Sequence, residues 1–278
     1  ATGADTVAVA STGNAGSSTA CLAAAMGLHA VVFVPEKAPP AKLAQSLAYG
    51  AKVLAVRGNY DDAYDLCLRE CEEHGWFNRS TGFNQFTREG KKTSSFEIWE
   101  QLGQVPDRVI VPTGDGNILS GVWKGWCDLR TAGLIDELPK VDCVQSEGSA
   151  AICRTIERVR EGGQDPDWCS VDIQGVAANT IADSISVNQP RDGLAAVRAV
   201  IESGGEAVAL SDDEILAAIG ELASMAGVFA EPAAAAPWAA AKRLNGDSRI
   251  GKDESVVLLI TGSGLKDIPA VPVGKPTL

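Results

Sequence analysis

Histidine is nearly missing from this chain: 278 residues hold two, His29 and His74. Neither has a Ser or Cys motif around it, so a nucleophile–histidine triad has nothing to build on. The seven cysteines form no C-x-x-C pair, and with so few histidines a zinc site is not expected. No apolar run approaches the ~20 residues needed to span a bilayer, so no membrane segment is expected either. Positive charge is in deficit, with 24 Lys and Arg against 36 Asp and Glu and a net charge of -12. A nucleic-acid partner would ask for a basic face, which argues against one. The acidic balance mainly favours solubility. Cys67 and Cys71 lie four apart and could share a helix face; all seven thiols read as reduced cysteines of a cytoplasmic protein. The chain opens Ala1-Thr2-Gly3-Ala4-Asp5, carries no signal-peptide pattern, and runs at once into a strand. The expectation is that an N-terminal segment precedes it.

What is present is a 45% hydrophobic chain whose short apolar runs alternate with helical patterns. Residues 7–10, 30–34, 52–56, 108–112, 141–145, 207–210 and 256–260 read as buried strands. Residues 16–26, 40–49, 61–74, 93–101, 119–132, 150–160, 194–202, 212–225 and 233–244 read as helices. That alternation predicts an α/β fold: mainly parallel sheets with helices on both faces. Ser211 followed by Asp212, Asp213 and Glu214 is a helix start with acid in its first turn. The repeats pause between residues 80 and 90, which predicts a small α/β domain over 1–80 and a larger one over 81–278. The stretch 162–188 is irregular and rich in Gly, Asp and Asn, and is expected to loop over something. In open α/β sheets the ligand sits at the carboxyl ends of the strands, so the chemistry is expected in the turns there.

Three such turns stand out. Ser11-Thr12-Gly13-Asn14-Ala15-Gly16 follows the first strand and opens a helix; small residues admit close backbone approach, and a helix start offers N–H groups to an anion. Alone it could be an ordinary capped turn. Thr113-Gly114-Asp115-Gly116-Asn117-Ile118 follows the strand 108–112 and again opens a helix. It lacks the Gly-Lys-Ser/Thr of a Walker loop and the glycine spacing of a dinucleotide fingerprint, but it can cradle a phosphate with backbone N–H groups. Thr261-Gly262-Ser263-Gly264-Leu265-Lys266-Asp267 follows the last strand. A hydroxyl there can hydrogen-bond a ring nitrogen without supplying charge.

Taken together and in this order, the three strings resemble the fold-type-II pyridoxal-phosphate enzymes (the tryptophan-synthase-β-like fold), most closely the threonine-synthase-like group. The resemblance covers nearly the whole chain. Similar strings occur in that group at Glu89-Gly90-Lys91-Lys92-Thr93 and at Phe229-Ala230-Glu231-Pro232, the latter ranked here as scaffold. The resemblance implies pyridoxal 5'-phosphate as cofactor. Asn14 would bond its phenolic oxygen; Gly114, Asp115, Gly116 and Asn117 would hold its phosphate; Thr261 would face its pyridine nitrogen. Ser11, Thr12 and Gly13 would take the substrate carboxylate.

The group's Schiff-base lysine lies upstream of the asparagine turn. None of the 13 residues before Asn14 is Lys, and none of the eleven later lysines has the right context. No catalytic residue is therefore assigned within the chain. The Arg expected to bind a substrate phosphate falls, without a gap, at Thr87, with Arg88 one place later; Arg88 is taken as the candidate. Asp115 inside the phosphate turn requires a donor or cation to offset it. The implied activity is conversion of O-phosphohomoserine to threonine and phosphate. Alternatives are a cysteate-synthase-like replacement on O-phosphoserine, a threonine-dehydratase-like elimination, or a non-catalytic relative. The implied partners are a phosphorylated amino acid and a second copy of the chain in a homodimer.

Overall fold

The computed structural model describes residues 3–38, 40–163 and 166–271. They fall into two compact units, Ala1–Thr87 and Arg88–Leu278.

The first unit begins β1 (Thr6–Ala10), α1 (Asn14–Met26), β2 (His29–Pro35), α2 (Pro40–Ala48), β3 (Lys52–Val56) and α3 (Tyr60–His74). A two-residue strand, β4 (Phe77–Asn78), follows, and α4 (Phe86–Lys91) runs across the boundary. The sheet order is β3-β2-β1-β4 and every ladder is parallel. Alternation along the strands divides the core. Ala8, Ala10, Val31 and Phe33 pack with α3 through Ala63, Tyr64 and Cys67. Val9, Val32 and Val34 pack with α1 through Ala20 and Ala23. Period-two patterning with both faces buried is what a parallel sheet wound on both sides requires. Helix α3 starts on a capping box in which Asn59 and Asp62 satisfy each other's backbone N–H groups.

The second unit holds α5 (Thr93–Leu102), β5 (Arg108–Pro112), α6 (Asn117–Thr131), β6 (Lys140–Ser146), α7 (Ala151–Glu161) and α8 (Gly193–Ser203). It continues with β7 (Ala207–Leu210), α9 (Asp212–Ala226), α10 (Pro232–Gly246) and β8 (Val256–Leu258). The order is β7-β6-β5-β8, again all parallel. Val109, Val111, Val141 and Cys143 face a core with Leu119, Trp126, Ile152 and Val200. Ile110, Val144, Val208 and Leu210 face the other, with Ile215, Ile219 and the Ala233–Ala236 run of α10. Between β5 and β6 the buried Arg108 guanidinium donates to both oxygens of Asp142 at 2.8 Å. Helix α9 begins where the sequence placed a start, with acid in its first turn, and the structure adds a Ser211–Glu214 capping box there; α10 opens with Pro232 at its first turn.

Each strand and helix read from the sequence has its counterpart, and the α/β class with parallel sheets holds. Two short elements, β4 and α4, carry too few residues to show a period. Strand β8 stops at Leu258, two residues before its apolar run ends. The irregular stretch is pinned rather than loose in its hydrogen bonding: Thr180 Oγ1 and the Ile181 N–H donate to the two oxygens of Asp212, and the Val176 N–H to the Asn188 carbonyl. Among the described residues no helix is long and apolar enough to cross a membrane, and no His, Cys, Asp and Glu group could hold a metal. The cysteines are all free thiols; Cys67 and Cys71 do share the buried face of α3.

Candidate active site

In the first unit the central strand β1 delivers residues 11–14. The Ser11 N–H still bonds the Phe33 carbonyl of β2, at 3.1 Å, so the turn starts from the sheet itself. Ser11 Oγ then accepts the Gly13 N–H at 3.2 Å. Asn14 is the first residue of α1. A Cβ on Gly16 would sit 2.6 Å from the Ser11 carbonyl oxygen, so the turn closes this tightly only with glycine there. Ser11, Thr12, Gly13 and Asn14 thus share one turn at the carboxyl end of β1, with the first N–H groups of α1 directed past its start.

In the second unit two of the expected turns come together by topology. Strands β5 and β8 are adjacent and parallel, with Ile110 opposite Leu258, and the Leu259 N–H bonds the Ile110 carbonyl at 3.1 Å. Residues 113–117 and Thr261 therefore leave neighbouring strands at the same edge. Thr113 anchors the first turn: its N–H bonds the Val144 carbonyl at 2.8 Å, and its own carbonyl accepts Gln145 Nε2 at 3.2 Å. Gly116 has φ of 89°, and a Cβ on it would lie 2.8 Å from Ala196 Cβ and from the Asp192 carbonyl oxygen. Only glycine suits that position, in both space and conformation. Gly114 is close-packed in its turn against Ile185 and Val187. The result is a bare backbone cradle at the N-terminus of α6, the arrangement that binds phosphate through N–H groups.

Side chains from elsewhere in the chain meet the cradle's residues. Asp115 Oδ1 accepts the Arg191 N–H at 3.1 Å, and the Asp115 carbonyl accepts the Asp192 N–H at 3.0 Å. Burial pushes the Asp115 carboxyl up to about 6, against the Arg191 N–H and the charges of Arg191 and Lys91. These two cations are the offset that an acid in a phosphate turn requires. Asn117 is held at both ends, by Lys91 Nζ at its amide oxygen and by Asp192, which accepts its Nδ2 at 2.5 Å. Arg88 is ion-paired with the same Asp192. Thr87 is buried, its hydroxyl donating to the Asn84 carbonyl at 2.7 Å.

Thr261 opens the second turn of this edge. The turn is tied to the segment before α10 by a bridge between Ala230 and Ser263 and by the Glu231 N–H on the Gly262 carbonyl at 3.1 Å. The Glu231 carboxylate is buried and lies against Gly262, where a Cβ would fall 2.3 Å from its Oε1. Glu231 thus stands in the scaffold of the Thr261 turn.

Lys91, Arg191 and Asp192 carried no assigned role in the sequence. Lys91 sits in a string shared with the resembled group, which was its one available signal. Asp192 and Arg191 precede α8 in an irregular stretch, and only the tertiary fold brings them to Asp115 and Asn117.

In the second unit a parallel sheet thus carries, at one edge, a glycine cradle at a helix start and an uncharged hydroxyl on the adjacent strand. The family model described as pyridoxal-phosphate dependent enzyme matches residues 1–262, and the chain belongs to that family. A threonine synthase of Methanocaldococcus jannaschii is 40% identical over 95% of this chain and 64% of its own. One from Methanosarcina acetivorans is 37% identical over the same shares, and one from Halalkalibacterium halodurans is 36% identical over 95% of this chain and 70% of its own. The chain therefore spans 64% of the length of the first two. Among solved structures, a processed threonine deaminase from Solanum lycopersicum superposes with a TM-score of 0.76 at 22% identity, covering 94% of this chain and 70% of that one. Maize serine racemase gives 0.76 at 21%, covering 96% and 75%. These two establish the fold.

Proposed function

We propose that the protein carrying this chain is a threonine synthase, converting O-phosphohomoserine to threonine and phosphate by γ-elimination and β-hydration. The observation that carries this reading is identity of 36–40% with three threonine synthases along 95% of the chain.

The backbone of Gly114, Asp115, Gly116 and Asn117, with the start of α6, would hold the phosphate of pyridoxal 5'-phosphate; Asn14 would meet its phenolic oxygen and Thr261 its ring nitrogen. When bound, that cofactor supplies the conjugated ring that accepts the electron pair left as the substrate loses its α-proton. The residues of the chain bind and orient. Ser11, Thr12 and Gly13 would take the substrate carboxylate on the N–H groups at the start of α1. A threonine hydroxyl at the ring nitrogen stabilises without adding charge, leaving that nitrogen largely unprotonated, which suits elimination and replacement. The lysine this chemistry needs is assigned to none of the eleven in the chain. Arg88 would serve the substrate only by releasing Asp192. The protein would work in the cytoplasm as a homodimer.

The test is phosphate release by the full-length protein from O-phosphohomoserine and from O-phosphoserine, with and without sulfite. Threonine and phosphate from the first substrate support the reading. Release confined to O-phosphoserine and dependent on sulfite overturns it in favour of a cysteate-synthase-like replacement.

A further inference from the structure

Arg79 follows β4 in the first unit. Its surroundings are fastened on every side: its own N–H bonds the Ala8 carbonyl at 2.8 Å, the Ser80 N–H bonds Asn78 Oδ1 at 2.7 Å, and Ser80 Oγ accepts the Ala10 N–H at 3.2 Å. Tyr64 Oη donates to the Thr81 carbonyl at 3.0 Å, and Tyr60 Oη to the Ala10 carbonyl at 3.4 Å. Two donors are the exception: Asn78 Nδ2 and Arg79 Nη1 are buried with no hydrogen-bond partner, and among the described residues no carboxylate pairs with the half-buried Arg79. Burial lowers its proton affinity, and the one titratable group acting on it is Tyr60. Arg88, nine residues on, is by contrast neutralised by Asp192.

A half-buried cation with an enclosed, unpartnered Nη1 and no counterion costs stability. A ligand that supplies the missing charge offsets that cost, and the unpartnered Asn78 Nδ2 beside it is a second donor for the same ligand. The guanidinium fork matches phosphate and carboxylate geometry. Its location narrows the choice. The parallel register sets Asn78 beside Ala8, so residues 79 and 80 run beside the last residues of β1, and Ser11 follows directly. The 11–13 turn already offers helix N–H groups to an amino-acid carboxylate under the reading above, on which this step rests. The anion left for Arg79 is the second one on the substrate.

We infer that Arg79 is the residue of this chain that binds the phosphate of a phosphorylated amino-acid substrate, near Tyr60 at the carboxyl end of β1.

The probe is inorganic phosphate, titrated without substrate into the wild-type protein and into Arg79→Lys, Arg79→Gln and Arg79→Met, each loaded with pyridoxal 5'-phosphate so that the 114–117 cradle is filled, with melting temperature as readout. Phosphate raises the wild-type value, as any ligand selective for the folded state does. It raises that of the Lys variant less, and leaves the Gln and Met variants unmoved. A response retained by Gln or Met, or absent from wild type, overturns the assignment. Should those two variants fail to fold, the Arg79 Nε–H resonance of the wild type, identified by its loss in the Lys variant, must shift on adding phosphate; a stationary signal overturns the assignment. With O-phosphohomoserine, Arg79→Lys raises KM at least tenfold and leaves kcat within about threefold. An unchanged KM overturns the substrate role and leaves a site for free phosphate. Arg79-dependent phosphate binding without turnover of O-phosphohomoserine defeats the threonine-synthase reading alone. Turnover with phosphate affinity indifferent to residue 79 defeats only this inference.

Discussion

Replacing Asp115 by Asn isolates the electrostatics of the phosphate cradle. The carboxyl is buried, and burial lifts it from the ordinary aspartate value of 3.8 to about 6. Because its folded-state affinity for the proton exceeds that of the unfolded chain, the folded state holds the extra proton between those two values. The stabilisation from that proton is complete below 3.8 and is lost as pH rises through about 6. At pH 8 the ionised group therefore burdens the fold. With ~1.4 kcal/mol per tenfold change in affinity, the burden is ~3 kcal/mol at most. Asn keeps an amide oxygen for the Arg191 N–H, cannot ionise, and so removes the penalty. The assay is urea unfolding of both proteins without cofactor at pH 8, 7, 6 and 5, followed by tryptophan fluorescence. Five of the six tryptophans lie in the unit that holds Asp115, so the signal reports on it. Asp115→Asn should move the midpoint upward by about 1 M at pH 8, given a urea slope of roughly 2–3 kcal/mol/M. The two curves should converge as pH falls towards 5. A difference independent of pH, or a less stable variant at pH 8, refutes the assignment of burial as the dominant influence.

Other substitutions test the remaining parts. Gly116→Ala forces a side chain into 2.8 Å contacts at φ of 89°; it should cost ~2–4 kcal/mol by denaturant titration and weaken cofactor binding. Thr261→Val should keep the melting temperature within a few degrees while lowering cofactor affinity and activity; unchanged activity moves the ring nitrogen elsewhere. Asp142→Asn removes the carboxylate that holds Nη1 of the buried Arg108, leaving Glu254 at 3.5 Å from its Nε as counterion, and should cost up to ~3–5 kcal/mol, read as a lower urea midpoint.

The alternation of Val109, Ile110 and Val111 into opposite cores shows why the fold was legible. Each parallel strand is buried on both faces, so it appears in the sequence as an unbroken apolar run of strand length between helical patterns. Ser211 with Glu214 announced a helix start through chemistry local to four residues. The turn at residues 113–117 was legible because its glycines fall in one short string between a strand and a helix. Asp192, Arg191 and Lys91 were not, because their partners Asp115 and Asn117 are far along the chain and no local period marks such contacts. Strand β4 escaped for the opposite reason, being only two residues long. No local pattern marks Arg79 in the sequence; its missing counterion is a property of the packed unit alone.

The most direct test of the cofactor assignment is a crystal structure of the full-length protein loaded with pyridoxal 5'-phosphate. The phosphate should accept hydrogen bonds from the backbone of residues 114–117, with the ring nitrogen at Thr261 Oγ1 and the phenolic oxygen at Asn14. A phosphate bound elsewhere, or a ring out of reach of either side chain, would contradict the account.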